Sequence, residues 1–272
     1  MSRTYTTFQF MAHYFRSRRW DAFHSPFLFT LLTHCCDETI SDPGFDVIEQ
    51  QRWNLLNSAE IIDRKDFGTG SLFKEKGKAV PVSTIAKHAL SLPFQCRFLY
   101  RLTSFLNPHR IVEFGTSLGL SAAYLAAGAP MAQVDTIEGD PELAARAAGV
   151  FKSLALTNIS LHTSTFEDYI SSLQQDSPKI DLLFLDGHHT SSAVINYYIS
   201  LKHYFHAETV IVVDDIYWSA DMHEGWKKMI TMPEVTQSID CFHFGLLFFK
   251  PDFLNIENHV IHLPLKMLLA TR

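Results

Sequence analysis

Cysteine is scarce in this chain: there are four in 272 residues, two of them adjacent (Cys35, Cys36). None stands in C-x-x-C spacing, and the set lacks the regularity of a disulfide framework, so reduced thiols in a cytoplasmic protein are the expectation. Long apolar runs are missing too. No stretch reaches the roughly 18 residues that a spanning helix needs, and none follows the N-terminal basic residues as in a secretory leader. Basic charge is short overall, with 23 Lys and Arg against 29 Asp and Glu and a net charge of −6. That balance leaves no electrostatic footprint for nucleic acid. The exception is local: Arg3, Arg16, Arg18 and Arg19 sit in an acid-free, aromatic-rich opening segment, which could pass for a transit peptide although basic N-terminal helices are commonplace. Internal repeats and low-complexity tracts are absent.

What the chain does have is apolar residues, 47% of the total, enough for a sizeable core in one large α/β domain with a smaller appendage. Up to about Leu92 the pattern is irregular, helical and aromatic. Ser25-Pro26 has the form of an N-cap followed by proline in the first helical turn, opening a helix toward Cys35. A second helix is expected from Phe45 to Leu56. The glycine-rich, basic stretch Asp66-Phe-Gly-Thr-Gly-Ser71 with Lys74, Lys76 and Lys78 has no strand before it and reads as a solvated linker.

From Phe94 onward strand and helix patterns alternate, the mark of a parallel sheet. Strands are expected at Arg110 to Glu113, Gln133 to Ile137, Ile159 to His162, Ile180 to Leu185 and Thr209 to Val213. Helices are expected near Leu120 to Ala127, Glu142 to Leu154, Phe166 to Ser172, Ser191 to Tyr204 and Asp221 to Ile230. The runs Val235 to Asp240 and Phe242 to Phe249 are joined too closely for a helical crossover, so they pair antiparallel. The expected organisation is an N-terminal helical cap over residues 1–92 and an α/β domain over residues 93–272.

The first strand runs straight into the most informative motif, Glu113-Phe-Gly-Thr-Ser-Leu-Gly-Leu-Ser121. A tight turn between strand and helix is where open α/β sheets bind ligands. Here the turn carries a carboxylate, which would repel the pyrophosphate that a dinucleotide turn presents to its helix. Glu113 therefore points to a ligand with a cationic or hydroxyl-rich end, and S-adenosylmethionine, with its ammonium, sulfonium and ribose diol, fits. One strand-helix unit later Glu138 ends the second strand, placed to accept both ribose hydroxyls, while Asp140 is placed to cap the next helix. The third strand ends at Ser164-Thr-Phe166, where polar atoms could reach an adenine edge and a ring could cover its face.

The fourth and fifth strands deliver Asp186-Gly-His-His189 and Asp214-Asp215 to the same edge of the sheet. Three carboxylates converging there need a proton or a cation between them, and hard oxygen donors of this kind suit Mg²⁺. Tyr217 and Trp218 follow directly and could line an aromatic acceptor pocket, whereas Trp218, Met222 and Trp226 have the spacing of a buried helix face.

Over roughly Phe94 to Lys250 these segments resemble the catechol and caffeoyl-CoA O-methyltransferases, a class I S-adenosylmethionine-dependent group. The first ninety residues, with His-Ser-Pro-Phe and Asp-Phe-Gly segments, more closely resemble bacterial methyltransferase-like proteins. The resemblance implies an α/β fold with a doubly wound, seven-stranded, mostly parallel sheet (a Rossmann-like methyltransferase sheet), an antiparallel C-terminal hairpin and an N-terminal helical extension. It implies that Glu113, Gly115, Thr116, Ser117, Gly119 and Ser121 hold the methionine end of S-adenosylmethionine, Glu138 and Gly139 the ribose, and Ser164, Thr165, Phe166 and Asp186 the remainder. It implies a magnesium ion on Asp186, Asp214 and Asp215, with Asp215 acidic where the family has a neutral amide. The family's lysine three positions after the metal Asp is replaced by His189, expected as the general base beside Asp186.

The activity so implied is divalent-metal-dependent O-methylation of a small-molecule hydroxyl. The alternatives are a metal-independent transferase acting on an amine or sugar hydroxyl, and a non-catalytic S-adenosylmethionine-binding module that docks through its apolar tail, Phe253 to Leu269. The expected partners are a small-molecule acceptor and no nucleic acid or membrane, with a homodimer left open.

Overall fold

Every residue of Arg110–Phe114 is buried, the pattern of a strand covered on both faces. In a computed structural model of the chain, residues 3–37, 39, 43–63, 79–251, 253 and 255–263 are described. The Asp66-Ser71 stretch with its three lysines lies outside them, as does the tail beyond Leu263.

The N-terminal part forms α1 (Arg3–Arg16), a two-residue strand β1 (Arg18–Arg19), α2 (Pro26–Cys36), α3 (Pro43–Leu56), β2 (Ile61–Asp63), β3 (Ala79–Pro81), α4 (Val82–Ala89) and α5 (Pro93–Leu106). Strands and helices then alternate: β4 (Arg110–Phe114), α6 (Leu120–Gly128), β5 (Gln133–Glu138), α7 (Pro141–Ser153), β6 (Ile159–Thr163), α8 (Phe166–Ser172) and β7 (Leu182–Leu185). After these come α9 (Ser191–Leu201), β8 (Val210–Asp214), α10 (Ala220–Met229), β9 (Gln237–Asp240), β10 (Phe244–Phe248) and β11 (Glu257–His262). Ser25 caps α2 by accepting from the Leu28 amide at 3.4 Å, with Pro26 in the first turn, as the sequence predicts.

The main sheet has nine strands, in the order β1-β11-β9-β10-β8-β7-β4-β5-β6, where the resemblance implies seven. The two additional strands are β11, parallel to β9, and β1, which pairs Arg18 with Ile261 at the edge. Neither has a strand signature: β1 is two arginines, and Glu-Asn-His-Val-Ile-His has no polar-apolar alternation, so the tertiary edge and not local propensity makes them strands. The expected hairpin is present, with β10 antiparallel to both β8 and β9.

Successive side chains of a strand point to opposite faces, and this sheet sorts its apolar residues accordingly. Ile111, Leu182, Phe184, Val210 and Val212 pack with Leu28 and Leu32 of α2 and Phe98 and Leu102 of α5. Val112, Phe114, Leu183, Leu185, Ile211 and Val213 pack with Tyr169, Val194, Tyr198, Met222 and Trp226 of α8 to α10. The N-terminal segment thus supplies α2 to the core of the sheet, and Met222 and Trp226 take the buried role their spacing indicates. All four cysteines are buried and none is in a disulfide. Among the described residues no helix is long and apolar enough to cross a membrane.

The strands β5 and β7 flank β4 on either side. The chain runs outward from β4 on one side and returns on the other, so the crevice at the C-terminal end of β4 is the switch point where such sheets take ligands.

Candidate active site

The turn after β4 is closed by contacts that leave little choice of residue. Gly115 has φ +107°, and a Cβ there would lie 2.2 Å from the carbonyl oxygen of Asp186. Its amide and that of Thr116 donate to the Ile137 carbonyl at 3.1 and 3.2 Å, fastening the turn to β5. Gly119, with φ +85°, begins α6, and a Cβ there would meet the Phe151 ring at 2.8 Å. Ser117 holds a left-handed φ of +48° without being glycine; its amide donates to Oε2 of Glu138 at 2.8 Å.

Glu113 alternates with Val112 and Phe114 and so projects to the α5 and α6 side of the sheet, fully buried. Its register partner on β5 is Thr136, whose hydroxyl donates to Glu113 Oε2 at 2.5 Å and meets the Thr116 hydroxyl at 2.5 Å. Burial pushes the Glu113 carboxyl up to about 7, against the pull of the adjoining Ser121 and Thr136 hydroxyls, with the Glu138 charge adding to the rise. The other oxygen, Oε1, has no partner of hydrogen-bonding geometry among the described residues, and neither does the buried Ser117 hydroxyl. An orphaned carboxylate oxygen beside an orphaned hydroxyl is a costly arrangement unless a ligand donates to it.

Glu138 ends β5 with both oxygens directed at backbone: Oε2 at Ser117, and Oε1 at the Asp140 amide 2.9 Å away. Asp140 caps α7 through the Glu142 amide at 3.0 Å, and Gly139 is the half-buried link between the two acids. At the next strand end the three expected residues have protein contacts of their own. Thr165 caps α8 through the Asp168 amide at 3.1 Å, and the Ser164 amide donates to the Glu138 carbonyl at 3.1 Å. Phe166 is buried, stacked on Phe114 with centroids 4.7 Å apart and edge-on to Tyr197 at 5.5 Å. Its ring fills the core under the crevice, where the large apolar face is better placed than on an open wall.

The three aspartates do meet at one rim. Desolvation raises the Asp186 carboxyl well above the usual carboxylate range, reinforced by the charges of Asp214, Asp215 and Glu113 and by a hydrogen bond with Asp214. Asp214 is anchored from below, where the Gln95 amide donates to its Oδ1 at 3.0 Å. Gln95 is a residue that the sequence marks only as the third position of α5, where its own Oε1 accepts the Leu92 amide at 2.8 Å. Asp215 turns away with φ +54°, its side chain 36% exposed.

The structure gives the expected magnesium site on Asp186, Asp214 and Asp215 no support. Among the described residues no group of three or more His, Cys, Asp or Glu side chains is arranged to hold a metal ion.

His189 stands beside this pair, its Nε2 3.8 Å from Asp186 Oδ1 and 4.0 Å from Asp215 Oδ2, with its ring 5.7 Å from that of Trp218. Of the two aromatics expected to line an acceptor pocket, only half-buried Trp218 is at the rim. Tyr217 is sealed, its hydroxyl donating to Asp240 at 2.8 Å. His188, at φ +49°, is occupied with the Tyr197 hydroxyl at 2.6 Å.

Residues 112–216, from β4 to just past β8, match the family model described as a methyltransferase domain. Solved structures share the fold at low identity. One is the O-methyltransferase TomG from Streptomyces achromogenes, involved in tomaymycin synthesis and solved with S-adenosylmethionine, at 20% identity and TM-score 0.53 over 60% of this chain and 82% of that one. Another is an O-methyltransferase from Bacillus cereus solved with S-adenosylhomocysteine, at 17% identity and TM-score 0.55 over 79% and 94%. A methyltransferase from Podospora anserina, also bound to S-adenosylhomocysteine, aligns at 15% identity and TM-score 0.56 over 84% and 97%. Comparison with curated protein sequences gives no significant match.

Less than half of the chain matches that methyltransferase-domain model, and the likeness to the solved structures is one of α/β fold. Its architecture is the one shared by these O-methyltransferases.

Proposed function

We propose that this protein is an S-adenosylmethionine-dependent O-methyltransferase acting on a small-molecule hydroxyl, in a reducing cytoplasm that suits four buried cysteines outside any disulfide. The observation that carries the reading is Glu113, a fully buried carboxylate with one oxygen unpartnered beneath a glycine turn. An α-ammonium group supplies the donors and the positive charge that this oxygen lacks. The cofactor complexes of structures sharing the fold support the same ligand.

The residues fit it. Glu113 and the Ser117 hydroxyl take the amino-acid end. Glu138, a carboxylate whose oxygens each accept one backbone amide, has acceptor capacity for the ribose hydroxyls. When bound, S-adenosylmethionine supplies a methyl group on a sulfonium for in-line displacement by oxygen.

The chain's own part is to place the acceptor and take its proton. His189 is the base: Asp215, 4.0 Å from its ring nitrogen, meets the charge that a proton brings. Trp218 beside the ring shields one side of the acceptor from water. Burial and the neighbouring Asp214 and Asp215 charges favour the neutral form of Asp186, so proton removal is assigned to His189 and not to that carboxyl. Leu118, inside the turn, packs with Phe45, Ile48 and Ile85 of α3 and α4. That contact supports reading the N-terminal helices as the part that selects the acceptor.

Calorimetric titration with S-adenosylmethionine, followed by methyl transfer to a panel of phenols and aliphatic alcohols, tests the proposal. Saturable binding with methyl appearing on oxygen is expected. Absence of binding overturns the reading, and binding without transfer to any acceptor reduces it to a sensor module.

A further inference from the structure

The helix α1 is apolar on two sides. Inward, Phe10 packs edge-on to Phe242 with centroids 5.1 Å apart, and buried His13 reaches Asp240 Oδ1 at 3.1 Å. Outward, Phe8 is 72% exposed, Met11 48% and Phe15 78%, with Tyr14 54% exposed beside them. At 3.6 residues per turn, positions 8, 11 and 15 fall within about 60° of one another. They form one stripe, not scattered surface residues. The stripe is held in place at its C-terminal end: the Ser17 hydroxyl lies 3.1 Å from His262 Nδ1, and Arg18 and Arg19 pair with β11. It is also near the active rim, since Asp240 is hydrogen-bonded to Tyr217, two residues beyond Asp215.

Charge selects the occupant. In a chain of net charge −6, the first twenty residues hold four arginines and no Asp or Glu; Arg16 and Arg18 are exposed just beyond the stripe, and exposed Arg19 is paired with Asp21 at 2.7 Å. Pairing α1 with α1 of a second copy about a two-fold axis would set arginine against arginine. An anionic lipid surface instead receives both features, aromatic side chains at the level of the headgroups and arginines on the phosphates. We propose that α1 docks this protein on anionic membrane surfaces through Phe8, Met11 and Phe15, with the arginines of its C-terminal end on the lipid headgroups. The lack of a spanning segment does not bear on this, because an interfacial helix needs none.

The test uses the full chain and vesicles of phosphatidylcholine with and without phosphatidylglycerol, and it reads co-sedimentation independently of any methyl transfer. At least about tenfold more protein should pellet with the anionic vesicles, and the excess should vanish at high salt. Phe8→Ser with Phe15→Ser should abolish it at an unchanged melting temperature. Arg18→Glu, which leaves the stripe intact, should weaken it. Pelleting with neither vesicle, equal pelleting with both, or retention by the double variant overturns the proposal. So does a stable dimer in light scattering that the double variant disperses.

Discussion

The side-chain amide of Gln95 bridges two parts of the chain that the fold alone brings together, accepting the Leu92 amide at the start of α5 and donating to Asp214 Oδ1 at the end of β8. Both side chains are buried, so losing the donor strands a carboxylate oxygen away from water. Gln95→Leu should cost about 1–3 kcal/mol of stability, read as a lower denaturation midpoint. Gln95→Glu keeps an oxygen for Leu92 but turns the donor into an acceptor facing Asp214. That variant should be further destabilised at alkaline pH, where the new carboxyl is charged, and should recover toward the parent as it protonates. A pH-independent difference between the two proteins would show that the bridge does not govern Asp214.

Glu113 gives the cofactor site a pH dependence of definite sign. Its carboxyl rises from the ordinary 4.5 to about 7 in the folded chain, so the folded state keeps a proton that the unfolded state has lost. Stability from this group is fully present below about pH 4.5, falls as pH rises, and is gone above about 7; the slope amounts to roughly 3 kcal/mol in all. Binding of a cationic ligand runs the other way. An ammonium group favours the ionised carboxylate, so affinity for S-adenosylmethionine should climb with pH up to about 7 and then level off, with a proton released on binding at lower pH. Calorimetry in buffers of different ionisation enthalpy measures that proton. Glu113→Gln should flatten both profiles and weaken binding by at least about tenfold, the order expected for losing a charge-assisted contact.

The sequence shows the parallel strands, the hairpin and both acidic rims, because each is written locally. A β-branched run buried on both faces, a glycine turn and a capping Asp140 need no distant partner to be read. Residues whose role depends on a neighbour far along the chain are illegible. Gln95 carries a helix-start signal and nothing that points to β8. Thr136 is a polar residue in a buried strand whose meaning comes only from its register with Glu113. Phe166 reads as part of the crevice wall because it follows a strand end, but the 4.7 Å stack on Phe114 holds it in the core. The expectation of a magnesium site follows from three carboxylates at strand ends. What strand ends alone do not reveal is Gln95 beneath one of them, donating to Asp214.

Gly115 ties the cofactor turn to the proton-transfer rim. A methyl group there would sit 2.2 Å from the Asp186 carbonyl, in a residue with φ +107°. Relief requires either the turn or the end of β7 to move. Gly115→Ala should therefore lose at least about 2 kcal/mol through backbone strain and should lower cofactor affinity and turnover together. A methyl group on Gly149, in α7, would meet nothing within 4 Å. Gly149→Ala should leave both unchanged or gain slightly in stability, since alanine is the better helix former. Thermal melts and cofactor titrations of the two variants side by side make the comparison.

His189 and the aspartate pair can be separated by what each does to turnover and to stability. His189→Ala removes the base while leaving Glu113, Ser117 and Glu138 in place, so turnover should fall by about 10²–10⁴-fold with cofactor affinity nearly unchanged. An equal loss in both would place His189 in the cofactor site instead. Asp186→Asn imitates the protonated carboxyl that its burial among Asp214, Asp215 and Glu113 favours. This variant should be at least as stable as the parent above neutral pH and should keep most of its turnover, because the charge that faces the His189 ring from Asp215 remains. A chelator should leave the parent's activity intact, because the oxygens a divalent cation would need are engaged with Gln95 and with each other. Restoration of chelated enzyme by Mg²⁺ would mean that the cation breaks the Asp186–Asp214 hydrogen bond, and Gln95→Leu should then bind the metal more tightly than the parent does.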